Sequence, residues 1–214
     1  MPVLWSFRRC PYAMRARMAV LSAGLTVELR EIKLREKPSE FLAVSASATV
    51  PALAAGTTIL DESLEIMIWA LELNDPARLL EMSDEGWRLV DESDGPFKAA
   101  LDHTKYAVRY PDLDPLAERA KASGFIHNLD TRLGAQDFLM GPRSTLADLA
   151  IFPFVRQFAQ IDRPWFDAQP WPHVIAWLEG FLLSPAFETA MKKVPVWTQG
   201  SDPVEFAANR FPRS

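Results

Sequence analysis

The chain holds a single cysteine, Cys10, in the run Trp5-Ser-Phe-Arg-Arg-Cys-Pro-Tyr-Ala-Met. A cysteine just ahead of a helix faces unpaired backbone N–H groups and the positive end of the helix dipole. Both favour the thiolate, and such positions bring a thiol from about 8.5 down to roughly 3.5–7.5. Arg8, Arg9 and Arg15 stand near it in sequence as further sources of positive potential. Ala13 occupies the position where a dithiol motif would carry its resolving cysteine, so Cys10 reads as a monothiol centre. Two more segments carry recognition chemistry. Thr49-Val50-Pro51 places a proline just before a strand, where an X-Pro bond can be cis. The backbone groups of Val50 are then open to an extended peptide pairing along that edge. Asp61-Glu62-Ser63 opens a helix, where Ser63 and the terminal amides suit a carboxylate and Glu62 suits an ammonium. One α-amino acid end carries both groups. Taken alone, each piece has a plainer reading: a small buried hydrophobe, an ordinary proline at a strand start, a simple N-cap. Their order within one domain is what turns them into a pocket.

The elements that must position these residues follow from the pattern. Val3–Phe7 is a short apolar, aromatic run that predicts a buried strand, and residues 11–23 are rich in helix formers and stop at Gly24. Residues 27–32 alternate apolar and charged, as a half-exposed strand does. A second helix begins at Pro38. Strands over 50–53 and 57–60 flank Ala55-Gly56, and residues 63–73 form a third helix. Strand, helix, strand, helix, two strands and helix is the order of a thioredoxin-like α/β domain, assigned to residues 1–75. Asn74-Asp75-Pro76 reads as a linker.

Beyond it the strand signals fade, and an all-α helical-bundle domain is expected over residues 83–214. Helical patterns run over 84–109, interrupted at Gly95-Pro96, and over 114–134. Thr145-Leu-Ala-Asp148 has the spacing of a capping box, opening a helix that Pro153 is expected to kink. Further helices are predicted at 171–183, 185–192 and near 203–210.

The bulk numbers limit the function classes. A chain of 214 residues with a formal charge of -5 lacks the basic surface that nucleic acid requires. No apolar run approaches the ~18 residues of a membrane span, and no leader is legible at the N-terminus. One cysteine makes no internal disulfide. A cytoplasmic protein without membrane or nucleic-acid partners is the expectation. His103, His127 and His173 show no metal-ligand spacing, and no metal is expected. Ser6 reads as structural, and Trp165, Phe166 and Trp171 as core aromatics.

The residues Trp5 to Arg17, then Lys33-Leu-Arg-Glu-Lys-Pro38, Thr49-Val-Pro51, Asp61-Glu-Ser63, and later Gly141 with Thr145-Leu-Ala-Asp148, resemble the cytosolic glutathione transferases. Within that family the look is of the cysteine-type, omega-like branch, bacterial in appearance. The resemblance implies the glutathione transferase fold, with glutathione as co-substrate and a homodimer as the assembly. It implies Cys10 as the catalytic residue, Val50 pairing with the cysteinyl part of glutathione, and Pro51 as the cis proline. Glu62 and Ser63 would hold the γ-glutamyl end, and Lys37 would reach the glycine carboxylate. Tyr12, where omega-like members commonly have Phe, would wall the pocket. Tyr106 lies on a helix that in this family lines the pocket for a second, electrophilic or disulfide, substrate. The implied activity is glutathione-dependent thiol transfer through a mixed disulfide at Cys10. Two alternatives stand beside it: conjugation of glutathione to an electrophile without covalent catalysis, and a non-catalytic binding module.

Overall fold

The computed structural model describes residues 1–207. The described residues form two compact units: Met1–Leu80 together with residues 183–207, and Glu81–Leu182.

The first unit is built on a five-stranded mixed sheet. Its strands are β1 (Val3–Ser6), β2 (Val27–Glu31), β3 (Ala52–Ala55), β4 (Thr58–Leu60) and β5 (Glu205–Phe206), in the order β4-β3-β1-β2-β5. β1 and β2 are parallel, joined by the crossover helix α1 (Pro11–Ser22), while β3 and β4 add an antiparallel hairpin whose turn has Gly56 at φ +62°. The short α2 (Ser39–Leu42) precedes β3, and α3 (Ser63–Leu73) follows β4 and packs on α1. β2 alternates buried and half-buried residues, as the charged alternation predicts. The core under the sheet joins Trp5, Ile32, Phe41, Val50 and Ala52, with Cys10 packed against it. The thioredoxin-like reading of the N-terminal residues holds.

The tail differs from expectation. A helix is predicted near 203–210, whereas Glu205–Phe206 is a strand pairing antiparallel with β2, and residues 208–214 lie outside the described residues. Helix α10 (Pro185–Ala190) packs on α1. The described chain from Leu183 on therefore belongs to the first unit rather than to a helical domain running over 83–214. A two-residue strand has no periodicity to read, and its partner lies far away in sequence.

The second unit is helical. It comprises α4 (Asp84–Glu92), α5 (Lys98–Lys105), α6 (Pro115–Leu133), α7 (Leu146–Ala159), α8 (Arg163–Asp167) and α9 (Pro172–Leu182). Gly95-Pro96 does not break the path between α4 and α5. Ser93–Phe97 forms a π-turn that contains Pro96, whose ring would clash with the preceding turn of an α-helix. Pro153 is likewise contained within α7, which runs on to Ala159. No helix among the described residues is long and apolar enough to cross a membrane.

Candidate functional site

Cys10 is the N-cap of α1, in extended conformation, with Pro11 at the first helical position. Pro lacks an N–H, so its presence there wastes no donor, and it fixes φ for the first turn. The turn that delivers Cys10 is closed by its amide donating to the Phe7 carbonyl at 2.9 Å. The Arg8 amide donates to Glu31 Oε1 at 2.7 Å, tying the same turn to the end of β2. Cys10 Sγ lies 3.6 Å from the Val50 carbonyl oxygen, to which the thiol donates. The Val50–Pro51 peptide is cis, so the proline at the head of β3 has the isomer that its position suggested.

Cys10 opens on a cavity of ≈ 500 Å³ that Tyr12, Lys37, Val50 and Pro51 also line. Asp61, Glu62 and Ser63 form its far wall, and Leu34, Ala48 and Thr49 complete it. Ser63 begins α3 and is buried, and its Oγ accepts from Arg15 Nε at 3.0 Å. Arg15 also stacks on the Tyr12 ring, its Cζ 5.2 Å from the centroid. Glu62 is the exposed N-cap of α3, and Lys37 is exposed in the segment after β2. The structure thus brings Cys10, Tyr12, Lys37, Val50, Pro51, Glu62 and Ser63 around one cavity. Tyr106 belongs to the second unit and lies at the end of α5, where Arg109 Cζ sits 4.6 Å and Lys105 Nζ 5.2 Å from its ring centroid.

Of the three arginines near Cys10 in sequence, Arg15 serves Ser63, Arg9 lies over the Phe7 ring, and the Arg8 side chain donates to the Met191 carbonyl. Sequence reasoning missed Arg17. Seven residues on from Cys10, it is fully buried and pairs with Glu31 at 2.5 Å, while Nε donates to Ser6 Oγ at 2.8 Å and Nη1 to the Ala190 carbonyl at 2.9 Å. Burial draws its pKa down, the Glu31 carboxylate opposes this, and a Cys10 thiolate adds to the opposition. The signal for Arg17 was its two-turn spacing from Cys10 on the same helix. Ser6 is structural, as read.

Each histidine has a partner within the second unit. His103 Nδ1 is 2.8 Å from Glu118 Oε2, and the His127 ring meets Trp171 edge-on at 5.2 Å. His173 uses its amide to reach Asp130. No group of three His, Cys, Asp or Glu among the described residues is arranged to hold a metal ion. Trp165, Phe166 and Trp171 form an aromatic cluster within the second unit.

Residues 4–78 match the family model for the glutathione S-transferase N-terminal domain, and residues 110–180 match that for the glutathione S-transferase C-terminal domain. The chain belongs to the glutathione S-transferase family. Glutathione S-transferase D7 of Drosophila melanogaster is 26% identical over 222 residues, covering 94% of this chain and 89% of that protein. A family member from Pseudomonas fluorescens pf-5, solved with two glutathione bound, superposes with a TM-score of 0.76 at 22% identity, covering 89% of this chain and 92% of its own. Glutathione S-transferase-I, bound with lactoylglutathione, superposes with a TM-score of 0.71 at 25% identity over 89% of this chain and 98% of its own. In a glutathione S-transferase, a cavity lined by Cys10, a cis-proline edge and a helix N-terminus with Glu62 and Ser63 is the candidate active site.

Proposed function

We propose that this glutathione S-transferase is a cysteine-type, omega-like thiol transferase in which Cys10 carries the glutathionyl group. The observation that supports this most directly is the sharing of one cavity by Cys10, Val50–Pro51 and Glu62–Ser63. Glutathione lies along Val50, its cysteinyl backbone pairing with the Val50 amide and carbonyl. Its γ-glutamyl carboxylate accepts from Ser63, whose oxygen is already oriented by Arg15, and its ammonium meets Glu62. Lys37 takes the glycine carboxylate. Tyr12 and Tyr106 are assigned to the second substrate.

The Cys10 thiolate attacks the glutathione sulfur of a mixed disulfide between glutathione and a substrate thiol. The substrate sulfur leaves with the bonding pair and takes a proton from water, and a Cys10–glutathione disulfide forms. A second glutathione, as thiolate, attacks the sulfur of the bound glutathione. Oxidised glutathione departs and the Cys10 thiolate returns. Helix placement helps both steps, since a thiolate stabilised at the N-terminus of α1 is both populated and a good leaving group. We assign the working assembly to a cytoplasmic homodimer on the family resemblance, and sedimentation of the purified protein checks the dimer.

Replacing Cys10 by Ser is expected to abolish glutathione-dependent disulfide reduction and the labile glutathionyl adduct seen by intact mass after treatment with oxidised glutathione. Undiminished reduction would remove Cys10 from the mechanism. Conjugation of glutathione to an electrophile that rises in Cys10→Ser would instead favour the conjugating activity.

A further inference from the structure

Resting on the glutathione-binding reading above, we infer that Asp61 is a positioning residue: its carboxylate shapes the loop over residues 45–49 so that Val50 and Pro51 face the bound peptide. Asp61 stands at the end of the hairpin, one residue before Glu62-Ser63, and lines the cavity. Both of its oxygens are committed to the other side of the pocket. Oδ1 accepts from Ser45 Oγ at 2.5 Å, and Oδ2 accepts from the Ser47 amide at 2.7 Å.

The loop so held is a closed knot. Ser45 Oγ accepts from the Thr49 amide at 3.1 Å, and the Ser47 and Thr49 hydroxyls are 2.7 Å apart. Ala48 has φ +53°, a left-handed conformation that a residue with a Cβ keeps only where its surroundings dictate it. The knot ends at Thr49, and the next peptide groups are those of Val50 and cis-Pro51. The direction of the Val50 amide and carbonyl is therefore set by a loop that the Asp61 carboxylate anchors. That anchor also belongs to the segment carrying the γ-glutamyl contacts, so a single carboxylate fixes the spacing between the two ends of the ligand site. A carboxylate engaged through both oxygens holds a wall of the pocket; it is not directed at the ligand's ammonium, which is left to Glu62.

The chemistry at sulfur needs no change in Asp61, so its loss weakens glutathione binding rather than turnover. In Asp61→Ala the KM for glutathione is expected to rise about tenfold, the scale of losing hydrogen bonds to a charged acceptor, with kcat essentially kept. Ser45→Ala acts through the same loop and is expected to raise KM as well, and the double variant to be no worse than Asp61→Ala. Independently of any ligand, hydrogen exchange at the Ser47 amide is expected to be slow in the native protein and fast in Asp61→Ala. Asp61→Asn, which retains one acceptor oxygen, guards against a variant that fails to fold. Unchanged KM in a folded Asp61→Ala overturns the inference. So does loss of binding in Asp61→Ala with none in Ser45→Ala, which would make Asp61 a direct ligand contact. If the native protein binds no glutathione but the Ser47 amide still responds to Asp61, the binding reading fails while the anchoring stands; if Ser47 exchange is indifferent to Asp61, the anchoring itself fails.

Discussion

Arg17 and Glu31 place opposite charges in the interior close to the turn that presents Cys10. Taking two ions out of water is costly, and the pair persists because nearly every donor and acceptor is used: Ser6, the Ala190 carbonyl and the Arg8 amide as well as each other. Removing one partner strands the other, so Arg17→Met is expected to cost about 3–5 kcal/mol of stability by denaturant unfolding. It also removes a positive charge that a Cys10 thiolate feels, and alkylation of Cys10 at neutral pH should slow in the variant. Glu31→Gln keeps Arg17 and withdraws a negative charge, so Cys10 reactivity should move the other way even as stability falls. Opposite effects on reactivity with the same sign on stability would separate electrostatics from damage to the fold. That Cys10, Val50 and Ser63 line one cavity was legible from the order of their three segments within one domain. Arg17 was not, because a string of helix formers looks the same whether an arginine faces water or the core.

At the scale of elements, α7 shows how local and distant information divide. Thr145 and Asp148 have the spacing of a capping box, and the Thr145 amide does donate to Asp148 Oδ2 at 2.9 Å. The sequence gives no hint that Oδ1 of the same carboxylate also accepts from the Leu139 amide and from Trp177 Nε1, both at 3.0 Å. Asp148 is fully buried, and burial raises its pKa while these donors pull it down. An amide in its place would turn an N–H₂ toward donors, so Asp148→Asn is expected to cost about 2 kcal/mol, measured by unfolding. The α5–α6 pair makes a pH prediction. Glu118 on α6 accepts from Lys121 and lies 2.8 Å from His103 of α5, and these partners hold its pKa below the ordinary value, Lys121 foremost. A carboxyl with a depressed folded value stabilises the fold above its unfolded pKa, about 4.3, and loses that contribution as pH falls through the folded value. Glu118→Gln should therefore flatten the acid limb of a stability–pH curve below about pH 4.3 and leave its neutral side without that contribution. The interruption read at Gly95-Pro96 belongs here too. Both residues are local breakers of an α-turn, but the wider π-turn that absorbs them has no pattern of its own.

At the scale of the molecule, the boundary between the units does not follow the chain. The sequence pattern suggests a linker at Asn74-Asp75-Pro76, the first stretch of the first unit runs to Leu80, and nothing in the pattern announces the return of residues 183–207 to that unit. That return closes the sheet edge at β2. The Leu29 amide donates to the Val204 carbonyl at 2.8 Å, the Trp197 amide donates to the Glu31 carbonyl at 2.8 Å, and Phe206 is buried opposite Val27. Trp197 packs edge-on to Trp5 at 4.9 Å, and the Arg30 guanidinium lies 4.8 Å from one ring centroid and 4.7 Å from the other. An open, partly apolar strand edge is a pairing hazard, so covering it protects the sheet that carries Cys10. A chain ended at Lys193 would leave β2 unpaired on that side and expose Trp5 and Val27. Trp5 and Val27 would lose part of their burial, about 3 kcal/mol together, which for a chain of this size is on the order of 10 °C in unfolding temperature. Exchange at the Leu29 amide should become fast while the Ser6 carbonyl of β1 still holds the Ile32 amide, just past β2, at 2.9 Å. Because Glu31 also receives the Arg8 amide, the truncated chain should alkylate at Cys10 with an altered rate even at temperatures where it is fully folded. A truncation that lowers the unfolding temperature yet leaves the Cys10 rate untouched would mean that the tail guards the sheet edge alone and has no hold on the turn that presents Cys10.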